Sequence, residues 1–258
     1  KLDLHKDKDQ CFIREGTSPI SKIFLYEIGK YKIKRNIIYS NIVLPDSMIF
    51  PNDSDSILVT STASKSVANS YKKNITYLNG NPFINWKKIS SYSNNNTVGL
   101  LLGDELNRWK EQDSIDIEIL EELKNLDCKI CIGKPHPQEL NIPHRLNYYK
   151  NLVKKFPFLS LDTGDSQGFL KKVDIVISYA KSTLVEESLL CKKLVIEYRT
   201  EPNYSPNKKI IGLAKNLGFS IYSNSNFKDA YLEILSIENS KKDEAWNSFL
   251  RVINYKDI

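Results

Sequence analysis

From residue 97 onward, short apolar runs and amphipathic stretches alternate at regular intervals. The apolar runs, rich in Val, Ile and Leu, predict strands at residues 97–103, 128–134, 159–161, 174–178, 194–197 and 220–222. Between them, apolar positions at helical spacing predict helices at 116–125, 146–155, 167–172, 183–190, 210–217 and 227–237, with a last amphipathic helix at 240–252. Ile175, Val176 and Ile177 follow one another without polar alternation, as in a parallel strand covered on both faces. Strands separated in this way by helices predict a Rossmann-type parallel α/β sheet. Ala245, Phe249 and Val252 form an apolar stripe on the last helix, which is expected to pack back toward the N-terminal part.

The first 95 residues are less regular. Strands are expected at 10–14, 35–41, 56–60 and 75–78, and helices at 19–30 and 63–72. These are too few strands for a complete doubly wound domain, so this part is expected to be a partial α/β domain. The polar run Ser90-Ser91-Tyr92-Ser93-Asn94-Asn95-Asn96 reads as a linker, dividing the chain into residues 1–90 and 91–258. The chain opens Lys-Leu-Asp, without an initiator Met or an apolar leader, which reads as a start from which sequence is missing.

Composition narrows the class. With 258 residues, 41% hydrophobic and 26% charged, the chain can bury a core and is not disordered. Its apolar runs are a handful of residues long against the roughly 20 needed to span a bilayer. The formal net charge of +6 favours an anionic partner. Basic residues come in scattered pairs, Lys72-Lys73, Lys154-Lys155 and Lys208-Lys209 among them, and not in an aromatic-interleaved stripe, which argues against nucleic acid. Cys11, Cys128, Cys131 and Cys191 lie in or beside apolar runs, fitting a reducing cytoplasm. Cys128 and Cys131 have CxxC spacing but fall in an expected strand, where positions three apart face opposite ways, and no second pair exists; they read as core.

In open parallel sheets ligands bind beyond the carboxyl ends of the strands, so the residues just after each strand carry the chemical information. The second strand of the sheet ends in Lys134-Pro135-His136-Pro137, where two prolines hold a histidine in a stiff extended turn able to aim its imidazole at a phosphate or leaving oxygen. The fourth ends in Ser178-Tyr179-Ala180-Lys181-Ser182-Thr183 and opens a helix. One of the two hydroxyls serves as an ordinary helix cap; the same helix start can bind a phosphate, and Glu187, four residues past Thr183, can hold ribose hydroxyls or stand exposed. Arg14-Glu15-Gly16-Thr17 closes the first strand as a surface turn or as a general base with room for a substrate hydroxyl. Gly103-Asp104-Glu105 is a turn that could also admit a pyrophosphate, and His144 reads as a surface residue. The chain has no Walker loop, GxGxxG, GxSxG or HExxH.

The order Glu15-Gly16, then His136-Pro137, then Ser182-Thr183 opening a helix with Glu187 resembles the bacterial sialyltransferases and polysialyltransferases of the two-domain GT-B fold. Their motifs are (Asp/Glu)-(Asp/Glu)-Gly, His-Pro and Ser-(Ser/Thr). Similar signatures occur in Kdo transferases of capsule assembly and CDP-glycerol polymerases of teichoic acids. The resemblance runs from about Phe12 to about Glu197 and includes Asn79-Gly80-Asn81-Pro82 as the interdomain crossing. It departs from the family at Arg14, where a first acidic residue is usual, and in the short N-terminal domain.

The resemblance implies a GT-B-like enzyme that inverts the anomeric centre without a metal or other cofactor. It implies an N-terminal acceptor-side domain and a C-terminal donor-binding domain closed by a crossing helix. Glu15 would deprotonate the acceptor hydroxyl and His136 would contact the donor phosphate and assist the leaving group. Gly103, Pro137, Ser182 and Thr183 would complete the nucleotide site, and Glu187 would hold the ribose. The expected partners are a CMP-linked sugar, sialic acid-like, and a glycan acceptor, anionic in many surface polymers, with no nucleic acid; the expected location is the cytoplasm, peripheral to the inner membrane. Two other readings stay open. The same architecture would serve CDP-glycerol or a UDP- or GDP-sugar in capsule or cell-wall synthesis, because nothing in the sequence reads the nucleobase. A non-catalytic sugar- or nucleotide-binding module would have no use for an acid/base pair.

Overall fold

The computed structural model describes residues 10–14, 19–39, 55–59, 74–77, 96–103, 109–180, 182–199, 221–223 and 227–253. The expected helices at 63–72 and 210–217, the linker at 90–95 and the crossing at 79–82 lie outside these residues. The chain divides into two compact units, Lys1–Ile84 with Leu250–Ile258, and Asn85–Phe249.

In the first unit, β1 (Gln10–Arg14), β2 (Lys34–Tyr39), β3 (Ser56–Val59) and β4 (Asn74–Tyr77) form a parallel sheet in sequence order, with α1 (Pro19–Lys30) joining β1 to β2. Leu25 and Ile28 of α1, three residues apart on one face, are buried with Ile33, Ile37 and Ile57. At the start of β2 the Arg35 guanidinium takes both carboxylate oxygens of Asp55, each at 3.1 Å.

The second unit holds six parallel strands in the order β10-β9-β8-β5-β6-β7. They are β5 (Val98–Leu102), β6 (Cys131–Pro135), β7 (Leu159–Leu161), β8 (Ile175–Ser178), β9 (Leu194–Arg199) and β10 (Ile221–Ser223). The helices are α2 (Trp109–Asn125), α3 (Pro143–Lys155), α4 (Ser166–Leu170), α5 (Thr183–Leu190), α6 (Phe227–Ser236) and α7 (Asn239–Ile253), with a 3₁₀ turn at Glu139–Asn141. β5 and β8 are buried along their whole length, as their unbroken apolar runs require. Ile119, Leu120 and Leu123 of α2, Phe169 and Leu170 of α4, and Val185 and Leu189 of α5 complete the core. Asp165 caps α4, Ser182 caps α5, and Pro143 opens α3.

The expected parallel sheet is thus present, with strand positions displaced by a few residues at most. Two corrections follow. The helix expected at 116–125 begins earlier, at Trp109, and Asp116 is a fully buried residue within it. The strand expected from residue 128 begins at Cys131, so Cys128 lies ahead of it. The last helix is anchored by Trp246, whose indole N–H donates to the Leu190 carbonyl at 3.3 Å, and by Asp243, paired with Lys192 at 2.6 Å. Phe249 of the expected apolar stripe is fully buried, and from Leu250 the helix is grouped with the first unit.

Gly99, at the middle of β5, is held to its size by its neighbours: a Cβ there would lie 2.6 Å from the Phe169 ring and 3.0 Å from a Val173 methyl. Gly99→Ala is therefore expected to cost about 1–3 kcal/mol through overpacking. Urea unfolding should show a lower midpoint with an unchanged slope, and adding Phe169→Leu should restore part of the loss.

Candidate functional site

The winding of the second sheet reverses at β5, which pairs with β6 on one side and β8 on the other. A crevice at such a reversal, beyond the carboxyl ends of the strands, is where this class of sheet takes its ligands. Gly103 follows β5, His136 and Pro137 follow β6, and Ser182 and Thr183 follow β8. Five of the expected nucleotide-site residues therefore stand on three adjacent strands at one edge, the ends of β6 and β8 being two strand spacings, about 10 Å, apart.

The His136 amide donates to the Leu102 carbonyl at 3.0 Å, continuing the ladder one residue past Pro135, and its carbonyl accepts from the Glu139 amide at 2.9 Å. These bonds fix the turn between the two prolines. The imidazole is half-buried, and among the described residues its Nδ1 is buried without a hydrogen-bond partner. Ser182 takes the capping role, its hydroxyl oxygen accepting from the Leu184 amide at 3.2 Å. Thr183 is exposed and Glu187 half-buried on the next turn of α5. His144 is exposed at the start of α3. Glu15, with Gly16, Thr17, Asp104, Glu105 and Lys181, lies outside the described residues.

Gly103 has φ +85°, a left-handed conformation that favours glycine. A Cβ there would also lie 2.5 Å from the Glu139 carboxylate. Its amide donates to the Tyr179 hydroxyl at 3.1 Å, tying the turn after β5 to the loop after β8.

Behind this edge lies a buried polar network that the sequence did not reveal. Arg145 of α3 donates to Glu139 at 2.7 Å, to Asp113 at 2.5 Å and to the Tyr149 hydroxyl at 3.3 Å, and Tyr149 in turn donates to Glu139. The Tyr148 hydroxyl lies 3.2 Å from Asp116 Oδ2 and 3.1 Å from the Asp113 carbonyl. Asp116 Oδ1 is buried with no hydrogen-bond partner among the described residues. Burial pushes the Asp116 carboxyl up to about 8, against the opposing pull of Tyr179, Tyr148 and the Arg145 charge. Burial, with the Asp116 charge beside it, also holds the Tyr179 phenol well above its ordinary range. The available signal was an acid at position 116 on the same helical face as Ile119, Leu120 and Leu123.

Lys134 is committed elsewhere, paired with Asp162 at 3.3 Å and donating to the Gly164 carbonyl. Cys128, Cys131 and Cys191 are buried free thiols, each pushed up by burial, Cys191 to about 12. Among the described residues no group of three His, Cys, Asp or Glu side chains is arranged to hold a metal. No described helix is long and apolar enough to cross a membrane.

No family model matches this chain, and no curated protein does. Solved structures do. S. aureus MnaA, in a structure with UDP, is 12% identical, with a TM-score of 0.65 over 96% of this chain and 72% of its own. A Methanocaldococcus jannaschii UDP-GlcNAc 2-epimerase in complex with UDP-GlcNAc and UDP is 15% identical, at 0.59 over 97% and 76%. The glycotransferase of kitacinnamycin is 11% identical, at 0.58 over 97% and 73%. What they share with this chain is a GT-B-like fold of parallel α/β sheets. They also correct one expectation: the nucleotides named with these neighbours are UDP and UDP-GlcNAc, which overturns the CMP-linked partner. The motifs did not distinguish the two because none of them contacts a base by implication, only phosphate and ribose.

The buried carboxyl at position 116 makes stability depend on pH. Between its ordinary value of 3.8 and about 8 the folded protein keeps a proton that the unfolded chain has released. The stabilisation is complete below the lower value and is lost as pH rises through the upper one. Urea unfolding from about pH 4 to about pH 8 should show declining stability from this group. Asp116→Asn should flatten that decline; an equally steep decline in the variant would assign it to other groups.

Proposed function

We propose that this chain is a nucleotide-sugar enzyme that binds a UDP-linked sugar at the β5–β6–β8 edge and transfers the sugar to a glycan acceptor during assembly of a bacterial surface polymer. The observation that carries this reading is the reversal of winding at β5 with His136 Nδ1 buried there, without a hydrogen-bond partner among the described residues. In this reading residues 91–258 bind the donor and residues 1–90 serve the acceptor. The His136 imidazole and the Ser182 and Thr183 hydroxyls face the diphosphate, Gly103 and Pro137 shape the crevice, and Glu187 holds the ribose. Glu15, by its place in the motif order, accepts the proton of the acceptor hydroxyl. The hydroxyl oxygen bonds to the anomeric carbon while the bond from that carbon to the phosphate oxygen breaks, and UDP leaves with the electron pair. A carboxylate in this role contributes about 10²–10⁴-fold.

A second reading keeps the same site but not the acceptor. The M. jannaschii epimerase matches this chain over the same 97% as the glycotransferase, so the fold accommodates both reactions. Incubation with UDP-GlcNAc separates them: UDP released only when a glycan is added indicates transfer, and a C2 epimer formed without acceptor indicates epimerisation.

Melting with uridine, cytidine and guanosine nucleotides tests the donor. UDP at about 100 times its Kd should stabilise by about 2.7 kcal/mol, and His136→Ala should weaken UDP about tenfold or more by removing a hydrogen bond to a charged group. No stabilisation by any uridine nucleotide would end this reading.

Glu15→Gln should lower kcat by about 10²–10⁴-fold while UDP affinity stays near wild type. Turnover measured with EDTA present should be unchanged, since the proposed step uses no metal. Loss of UDP binding in the Gln variant would instead make Glu15 structural.

A further inference from the structure

The hydrogen bond from the Gly103 amide to the Tyr179 hydroxyl joins the two loops that bracket the reversal point, 76 residues apart in the chain. Tyr179 is buried, and behind it stands Asp116, fully buried, with one carboxyl oxygen lacking any partner among the described residues. We propose that Tyr179 and Asp116 are positioning residues for the nucleotide crevice: Tyr179 sets the spacing of its two loops, and Asp116, buried behind it, supports the phenol. This rests on the reading of the crevice as a nucleotide site.

The surroundings of Asp116 disfavour its ionised form. From its own helix Asp113 lies nearby, engaged by Arg145 at 2.5 Å. From α3 come Arg145, Tyr148 and Tyr149, from the 3₁₀ turn Glu139, and from the loop after β8 Tyr179. The Arg145 guanidinium already serves two carboxylates, Asp113 and Glu139. Ionised Asp116 would add a negative charge that among the described residues has no ion-pair partner, one phenol away from Gly103. Burial opposes that ionisation, as the upward shift of the carboxyl reflects. A diphosphate bound at the crevice would be repelled by the same charge, because electrostatic effects are strong in a water-poor interior.

Two measurements test this on the full chain. Without nucleotide, hydrogen exchange at the Gly103 amide should be about tenfold faster in Tyr179→Phe, which removes only the hydroxyl, and near wild type in Asp116→Asn. By calorimetry, UDP should bind wild type about tenfold more weakly at about pH 9 than at about pH 7, and Asp116→Asn equally at both. Tyr179→Phe should bind weakly at both. Unchanged Gly103 protection and UDP affinity in Tyr179→Phe would overturn the positioning role. An equal pH-dependent loss in Asp116→Asn would overturn the role of Asp116. If wild type binds no uridine nucleotide, the nucleotide reading fails, and Gly103 exchange alone decides whether the tie exists.

Discussion

A parallel strand cannot reach its neighbour by a tight turn; it needs a crossover, and crossovers of this kind are right-handed. β5 is where that constraint shapes the second unit. The chain leaves β5 toward β6 and β7, then returns past it to β8 and continues outward to β9 and β10. In sheets of this kind right-handed crossovers that run in opposite directions take opposite faces, so the chain parts at the reversal point, where ligands of this class bind. Each feature of the candidate site depends on this parting: the left-handed Gly103 at the end of β5, the stiff His136 turn on one side, and the capped start of α5 on the other.

Electrostatics then sets what the crevice rests on. Asp113, Asp116 and Glu139 are gathered near the buried Arg145, which is also stacked against the rings of Tyr148 and Tyr149. Burying a charge is tolerable only when it is paired or neutralised. Asp113 and Glu139 are paired, and burial pushes the Asp116 carboxyl toward its neutral form. A second buried pair, Lys134 with Asp162, braces β6 against the loop after β7. The rim of the site is thus supported by interactions that do not themselves have to meet a ligand.

Much of this architecture was legible in the residue pattern, because strand interiors and helix faces are decided locally. β7 and α5 stand where the periodicity put them, and the Pro135-His136-Pro137 turn and the glycine after β5 were visible as breaks in apolar runs. The buried network was not legible, because it depends on partners brought together by the fold: Arg145 meets Asp113 across 32 residues, and Tyr179 meets Gly103 across 76. The burial of Asp116 was not legible for the same reason, since it depends on partners such as Tyr148, 32 residues away. The nucleobase was not legible either, as hydroxyls and an imidazole suited to phosphate serve any nucleotide sugar.

The closeness of Gly103 to Glu139 constrains how this sequence can drift. A side chain at position 103 would meet both an unfavourable backbone angle and the Glu139 carboxylate 2.5 Å away. Glu139 cannot simply shrink to make room, because Arg145 would lose one of its two carboxylate partners and Tyr149 an acceptor. Accepting a larger residue at 103 therefore asks for compensating change in the Glu139, Arg145 and Tyr149 group as well. Single-step mutation has no downhill route there, and the two loops can be expected to vary as one block or not at all.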